Sequence, residues 1–254
     1  LHKEYRRQRQ MCIRDRLEHV IRDCSPAIIL THSGILTRIQ ALLPPPLQQT
    51  VVATDVQPDW RHAAVSPDKA DASLALLQYT SGSTGRPKGV CVSHENLHAN
   101  LQQIEQAFGH SSDSRGVIWL PHYHDMGLIG GVLQPLFVGF PVTLFSPIAF
   151  VQRPVRWLQA IHTYRATTSG GPNFAYDLCV HKAASLAEQD LDLSCWTVAF
   201  NGAEPVKATT LDAFVSAFSP AGFRRSAFLP CYGLAEATLL VTCLLYTSDA
   251  ADDT

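Results

Sequence analysis

The sequence predicts an α/β fold in which helices are layered around largely parallel sheets. Three observations carry that prediction. Short β-prone apolar runs alternate with helix-length segments along most of the chain, the rhythm of right-handed βαβ crossovers. Proline- or glycine-bearing turns close the runs, as at Pro26, Pro44 to Pro46 and Gly170 to Pro172. The bulk composition, 254 residues with 46% hydrophobic and 17% charged side chains, is that of an ordinary globular protein able to bury a sizeable core.

The elements follow in order. Leu17 to Cys24 has helical apolar spacing, broken by Pro26, and Ala27 to Thr31 reads as a short buried strand. Ile35 to Leu43 suggests a helix closed by Pro44 to Pro46, and Thr50 to Thr54 a second strand. Asp55 to Ala72 is polar and reads as a surface connection. Leu74 to Tyr79 and Val90 to Ser93 are strands on either side of a glycine-rich loop. Ser93 can cap a helix from His94 to Phe108, whose apolar residues fall at Leu97, Leu101, Ile104 and Phe108. Strands are expected at Val117 to Leu120, Val142 to Phe145, Ala166 to Ser169, Trp196 to Phe200 and Ala227 to Leu229. Helices are expected at Met126 to Phe137, interrupted near Pro135, and at Pro154 to Tyr164, Asn173 to Leu186 and Pro205 to Phe218, the last opening with proline in its first turn.

Several function classes are excluded. A formal net charge of -2 leaves no electrostatic footprint for nucleic acid. No apolar run approaches the ~20 residues of a membrane helix, and the start lacks a signal-peptide core, so the expected location is cytoplasmic. The 7 cysteines are scattered without a C-x-x-C pair and suggest neither a disulfide framework nor a zinc site. Residues 1–16 and 243–254 read as non-native or disordered tails, leaving 17–242 as the domain.

Five stretches carry chemistry. Tyr79 to Val90, YTSGSTGRPKGV, gathers glycines, hydroxyls and Lys88 between two strands. Glycines let backbone N–H groups turn inward and Lys88 adds a positive charge, the composition of a phosphate cradle. It is not a P-loop, because Gly89 and a β-prone run follow Lys88, nor a nucleophile elbow, because Gly82 and Gly85 are three apart. A plain Gly/Ser linker would need neither Lys88 nor Pro87.

Leu120 to Gly131, LPHYHDMGLIGG, places His122, His124 and Asp125 at a strand end. The two histidines of a continued strand point to opposite faces, which argues against a metal and leaves a strand-ending turn or a substrate-gating role. Thr168 to Cys179, TSGGPNFAYDLC, turns through Gly170, Gly171 and Pro172 so that a helix bearing Asn173 and Tyr176 begins close to the crevice. Ala199 to Val206, AFNGAEPV, can bring backbone against a planar base, or can be a simple Asn-Gly turn. Tyr232 to Thr238, YGLAEAT, offers a ring for stacking and a carboxylate suited to Mg²⁺, although Glu236 alone reads as a surface residue.

In this order the five stretches resemble the signature segments of the adenylate-forming superfamily, and most specifically those of fatty-acyl-AMP ligases. The resemblance covers Leu17 to Thr242 and implies part of the large N-terminal domain of such an enzyme. It implies ATP and Mg²⁺ as cofactors, a fatty acid as substrate and an acyl-carrier protein as acceptor, in lipid or polyketide assembly. By matching position, Thr80, Ser81, Gly82, Ser83, Thr84, Gly85 and Lys88 hold phosphates, and Asn201, Gly202, Ala203, Glu204, Tyr232 and Gly233 hold the adenine, with Tyr232 stacking. Thr80 and Glu236 are implied at the metal. His124 is implied beside the reacting carboxylate, with Lys88 the second catalytic residue. The substrate pocket takes His124, Asp125, Met126, Gly170, Gly171, Pro172, Asn173 and Tyr176.

Asp125 keeps an amino-acid adenylation domain in view, and a long-chain acyl-CoA synthetase is the other enzymatic alternative. The family's C-terminal lysine and its ribose-binding aspartate find no counterpart, since no lysine follows Lys207. The expectation is therefore poor catalysis by these residues alone, which leaves a noncatalytic nucleotide-binding module as a further alternative.

Overall fold

A helix at residues 15–24 (α1) opens the computed structural model, which describes residues 15–56, 73–80, 87–186 and 190–244. The chain divides into two compact units, Leu1–Cys91 and Val92–Thr254. In the first, β1 (Ile29–Thr31) leads through α2 (Leu36–Leu42) and α3 (Pro45–Gln48) to β2 (Val51–Ala53), and β1 pairs parallel to β2 with Ile29 opposite Val51. Ile21, Leu43 and Val51 are its buried centre, with Leu17, Ile29, Leu36, Ile39 and Leu47 packed around them. The proline run expected only to close α2 instead starts α3, because proline has no N–H to lose in a first turn. A separate two-stranded sheet pairs β3 (Leu74–Thr80) with β4 (Lys88–Ser93). Lys88 is thus already in a strand, two residues earlier than expected. Most of the expected polar connection, 57–72, lies outside the described residues.

The second unit holds the larger sheet. Ser93 caps α4 (His94–Phe108) by accepting from the Asn96 backbone N–H at 3.0 Å, while Asn96 Oδ1 accepts from the Ser93 N–H at 3.0 Å. Gly109, at φ +61°, ends the helix in the left-handed conformation that glycine adopts without penalty. The strands that follow are β5 (Gly116–Ile118), β6 (Val142–Leu144), β7 (Thr168–Gly171), β8 (Val198–Asn201), β9 (Phe228–Gly233) and β10 (Leu240–Cys243). Their spatial order is β6-β5-β7-β8-β9-β10, parallel throughout except for antiparallel β10.

Between them lie α5 (Gln134–Val138), α6 (Pro147–Gln152), α7 (Val155–Tyr164), α8 (Asn173–Val180) and α9 (Ala208–Phe218). The core is aromatic. Trp157, Trp196, Tyr176 and Phe214 are fully buried, and the Trp157 and Trp196 ring centroids lie 5.2 Å apart in an edge contact.

Four differences from the expected elements have local causes. Met126–Leu133 is a π-helix that gives way to α5, with the Gln134 N–H reaching the Ile129 carbonyl five residues back. The helix expected from Pro205 begins at Ala208, because Pro205 lies in the turn before it. Helix α6 and strand β10 are additional elements: α6 is only 6 residues long, and β10 is short and lies beside β9 only after a tight return. Residues 15–16 belong to α1, Cys243 closes β10, and the Leu244 N–H donates to the Pro230 carbonyl at 3.0 Å; 1–14 and 245–254 lie outside the described residues.

Candidate active site

Four of the five chemical stretches leave the carboxyl ends of four neighbouring strands. LPHYHDMGLIGG follows β5, GGPN ends β7, NGAEP ends β8, and YGLAEA ends β9, and in the sheet these strands stand in the order β5-β7-β8-β9. Register fixes the middle of the row, with Gly171 opposite Asn201 and Asn201 opposite Pro230. Open parallel sheets bind ligands in the crevice at this edge.

Around β5, the His124 backbone N–H donates to the Pro121 carbonyl at 3.1 Å, making a turn from which the π-helix departs. Asp125 caps that helix, accepting from the Met126 N–H at 2.6 Å, and its Oδ1 also lies 2.6 Å from His124 Nδ1. This hydrogen bond raises the His124 pKa against the opposing pull of partial burial. The buried Asp125 carboxylate therefore orients the ring through Nδ1, which leaves Nε2 as the nitrogen available to a substrate. Tyr123, 76% exposed, stands beside it.

Gly170 and Gly171 are buried in β7. A Cβ on Gly170 would fall 2.1 Å from the Phe200 carbonyl oxygen, so only glycine lets β7 and β8 approach as they do. Pro172 precedes α8, and Asn173 and Tyr176 sit in its first turns. Both are structural in their bonding. Asn173 Nδ2 donates to the Pro205 carbonyl at 2.9 Å and its Oδ1 accepts from the Lys207 N–H at 3.1 Å. The Tyr176 hydroxyl donates to the Phe200 carbonyl at 2.9 Å from within the aromatic core, and burial pushes its pKa far up. Neither side chain presents a polar group to the crevice; the exposed ring of this helix is Phe174.

Asn201 is the unusual residue of the row. It is completely buried, and neither its amide nitrogen nor its amide oxygen has a hydrogen-bond partner. Buried polar groups are almost always paired, so an orphaned amide at a strand end marks a place for a ligand group or an ordered water. Gly202 is buried beside it, while Ala203, at φ +69°, and Glu204 are exposed. On β9, Tyr232 is 59% exposed and Gly233 closes the strand. Glu236 is exposed in the short turn that follows, and Thr238 has φ +73°, a costly conformation for a β-branched residue.

In the first unit, Thr80 ends β3 and Lys88 begins β4; Ser81, Gly82, Ser83, Thr84 and Gly85 lie outside the described residues. Tyr79 belongs to the scaffold. Its hydroxyl donates to Asp23 Oδ2 at 2.5 Å, which raises its pKa well above the usual range.

Two further residues carry no motif signal. Trp119 is buried with its indole N–H unpaired, stacked on Phe150 with centroids 4.0 Å apart. Asn100 on α4 braces the return of the chain beside β9, donating to the Leu240 carbonyl at 2.8 Å and accepting from the Leu240 N–H at 3.0 Å. The only sequence cue to Trp119 is its place just ahead of the HYHD string.

The profile of the family described as AMP-binding enzyme matches residues 12–254. The chain belongs to the AMP-binding enzyme family. It is 53% identical over 176 residues to the medium-chain-fatty-acid–[acyl-carrier-protein] ligase JamA of Moorena producens, spanning 69% of this chain and 30% of that protein. It is 40% identical over 244 residues to the long-chain-fatty-acid–AMP ligase FadD32 of Mycolicibacterium smegmatis, spanning 89% and 38%. Among solved structures it is similar to the fatty acyl-adenylate ligase of L. pneumophila in complex with acyl adenylate and pyrophosphate, with a TM-score of 0.82, 44% identity, and coverage of 90% of this chain and 40% of that one. The largely parallel sheet of this AMP-binding chain is that of the N-terminal domain of adenylate-forming enzymes. The chain spans less than half the length of these relatives.

Proposed function

We propose that the protein activates a fatty acid by adenylation. One carboxylate oxygen attacks the α-phosphorus of ATP, a C(O)–O–P bond forms, the bond from the α-phosphorus to its bridging oxygen breaks, and pyrophosphate leaves with the electron pair. The observation that supports this reading most is the row of motif-bearing strand ends with the unpaired Asn201 amide at its centre. The exposed Tyr232 ring suits stacking on the adenine base, and the unpaired Asn201 amide beneath the strand ends suits an ordered water.

His124, held by Asp125, orients the incoming carboxylate. Gly170 and Gly171 let β8 and the Trp119 ring pack directly against the end of β7, and by motif they are assigned with Pro172 and Met126 to the acyl pocket. Asn173 contributes by holding α8 to the β8–α9 turn, and Tyr176 by holding it to β8. Thr80, residues 81–85 and Lys88 are assigned to the β- and γ-phosphates by motif, since two anions must meet and charge neutralisation is the main task.

Among the described residues no cluster of three or more His, Cys, Asp or Glu could hold a metal ion. Glu236 is a single exposed carboxylate of the kind Mg²⁺ takes while it completes its shell with phosphate oxygens and water, and Thr80 is assigned to the ion by motif alone. Bound there, Mg²⁺ would neutralise phosphate charge. Among the described residues no helix is long and apolar enough to cross a membrane. The acyl group passes to an acyl-carrier protein, a reading supported by the name of the 53% identical relative.

The test is ATP–pyrophosphate exchange by the full-length protein. Exchange dependent on a medium- or long-chain fatty acid is expected; exchange driven only by amino acids would overturn the acyl assignment. Product analysis with acyl-carrier protein and with CoA then decides the acceptor.

A further inference from the structure

Two buried polar side chains without partners stand on one face of the large sheet, joined by Gly171. The Trp119 indole N–H and both polar atoms of the Asn201 amide make no hydrogen bond among the described residues, and the two residues are 3% and 0% exposed. Gly171 pairs in register with Asn201, and paired residues of a parallel sheet send their side chains to the same face. A Cβ added to Gly171 would fall 2.7 Å from Trp119 Cζ2 and 3.5 Å from Cε2, the ring carbon bonded to the indole nitrogen. The indole therefore lies over Gly171, on the strand next to Asn201 and about 4.8 Å from it. The other indoles on this face are paired. Trp157 Nε1 donates to Ser169 Oγ at 2.7 Å, and Trp196 Nε1 to the Val198 carbonyl at 3.0 Å.

We propose that Trp119 and Asn201 share one internal water and through it act as positioning residues for the crevice at the strand ends. The groups themselves select the ligand. An indole only donates, whereas an amide both donates and accepts. A hydroxyl-type oxygen accepts from Trp119 Nε1 and from Asn201 Nδ2 while donating to Asn201 Oδ1. A carboxylate or carbonyl would leave Oδ1 unpaired, and a cation would meet N–H donors on both sides. Two hydrogen bonds of about 2.9 Å bridge groups about 5 Å apart, which matches one strand spacing. Both side chains are closed off from solvent, which favours water over a substrate hydroxyl as the source of the oxygen. The bridge joins the end of β5, which leads into His124, to the end of β8, which leads into Gly202 and Ala203. Its catalytic consequence rests on the adenylation reading; the shared water does not.

The first test is a high-resolution crystal structure of the full-length protein, free and with a hydroxylated fatty acid. An oxygen within about 3.2 Å of both Trp119 Nε1 and the Asn201 amide is expected in the free protein. Its absence there overturns the proposal, including the case where a hydroxyl of the bound acid alone takes the place. The second test is a double-mutant cycle with Trp119→Phe, which keeps an aromatic ring, and Asn201→Leu, which keeps the approximate size. In the wild-type background Trp119→Phe is expected to raise the unfolding constant in urea about tenfold or more. In the Asn201→Leu background the rise should be smaller by about threefold or more, because lost ring packing is common to both legs and the shared water is not. Additive losses would overturn the shared water. Read in kcat/KM for the fatty acid, each single variant should lose about fivefold and the double variant little more. Full activity in both single variants would overturn the positioning role. If the wild-type enzyme shows no fatty-acid-dependent exchange of pyrophosphate, the adenylation reading fails, and the crystal and urea arms still decide the water.

Discussion

His110 shows how a single residue of this fold responds to pH. It is buried, with Nε2 3.0 Å from Thr168 Oγ1 and its ring between Phe108 and Phe140, whose centroids lie 5.3 and 5.0 Å away. Desolvation lowers its pKa to about 4. The folded state thus favours neutral imidazole, while the unfolded chain takes up a proton near the ordinary value of about 6.5. The stability this group contributes is complete above that value and is lost as pH falls toward 4, by about 3 kcal/mol in all. Urea denaturation of wild type and His110→Gln across pH 7 to 4 checks this. The wild type should lose stability more steeply, and parallel curves would contradict the assignment. His124, bonded to a carboxylate and half exposed, shifts the other way, so burial alone does not set a histidine's behaviour here.

At the scale of elements, Asn173 ties α8 to the turn that precedes α9. Replacing it by alanine removes both partners of the Pro205 carbonyl and the Lys207 N–H at a nearly fully buried position. The expected cost is about 2–4 kcal/mol, since two backbone groups lose their bonds together. Chemical denaturation of Asn173→Ala measures it, and a loss below about 1 kcal/mol would show that water replaces the side chain readily. The same bonds carry Asn201, Gly202 and Ala203 indirectly, because the turn they anchor begins at the end of β8. Helix α8 therefore serves the site as a brace, with Phe174 as its exposed ring.

At the scale of the molecule, the division between Cys91 and Val92 separates the aromatic core from the first unit. Residues 92–244 carry Trp119, Trp157 and Trp196 in one packed cluster, together with all strands of the large sheet. Expressed alone, this segment is expected to keep the near-UV circular dichroism of fixed indole rings and a cooperative thermal transition. A flat near-UV spectrum would show that the first 91 residues are needed for the core to set.

Alternating strands and helices, the Ser93 cap of α4 and the five chemical stretches are legible in the sequence, because each depends on residues close together in the chain. Their family order was legible for the same reason. What it did not determine is spatial. The order β5-β7-β8-β9 lines up four stretches that are 30 or more residues apart, and only crossover packing sets that order. Asn173 and Tyr176 sit beside the motif glycines, yet the fold turns their polar groups inward to backbone partners. The orphaned amide of Asn201 is invisible in a string that also reads as an ordinary Asn-Gly turn, because whether a polar group is buried and unpaired depends on everything packed around it.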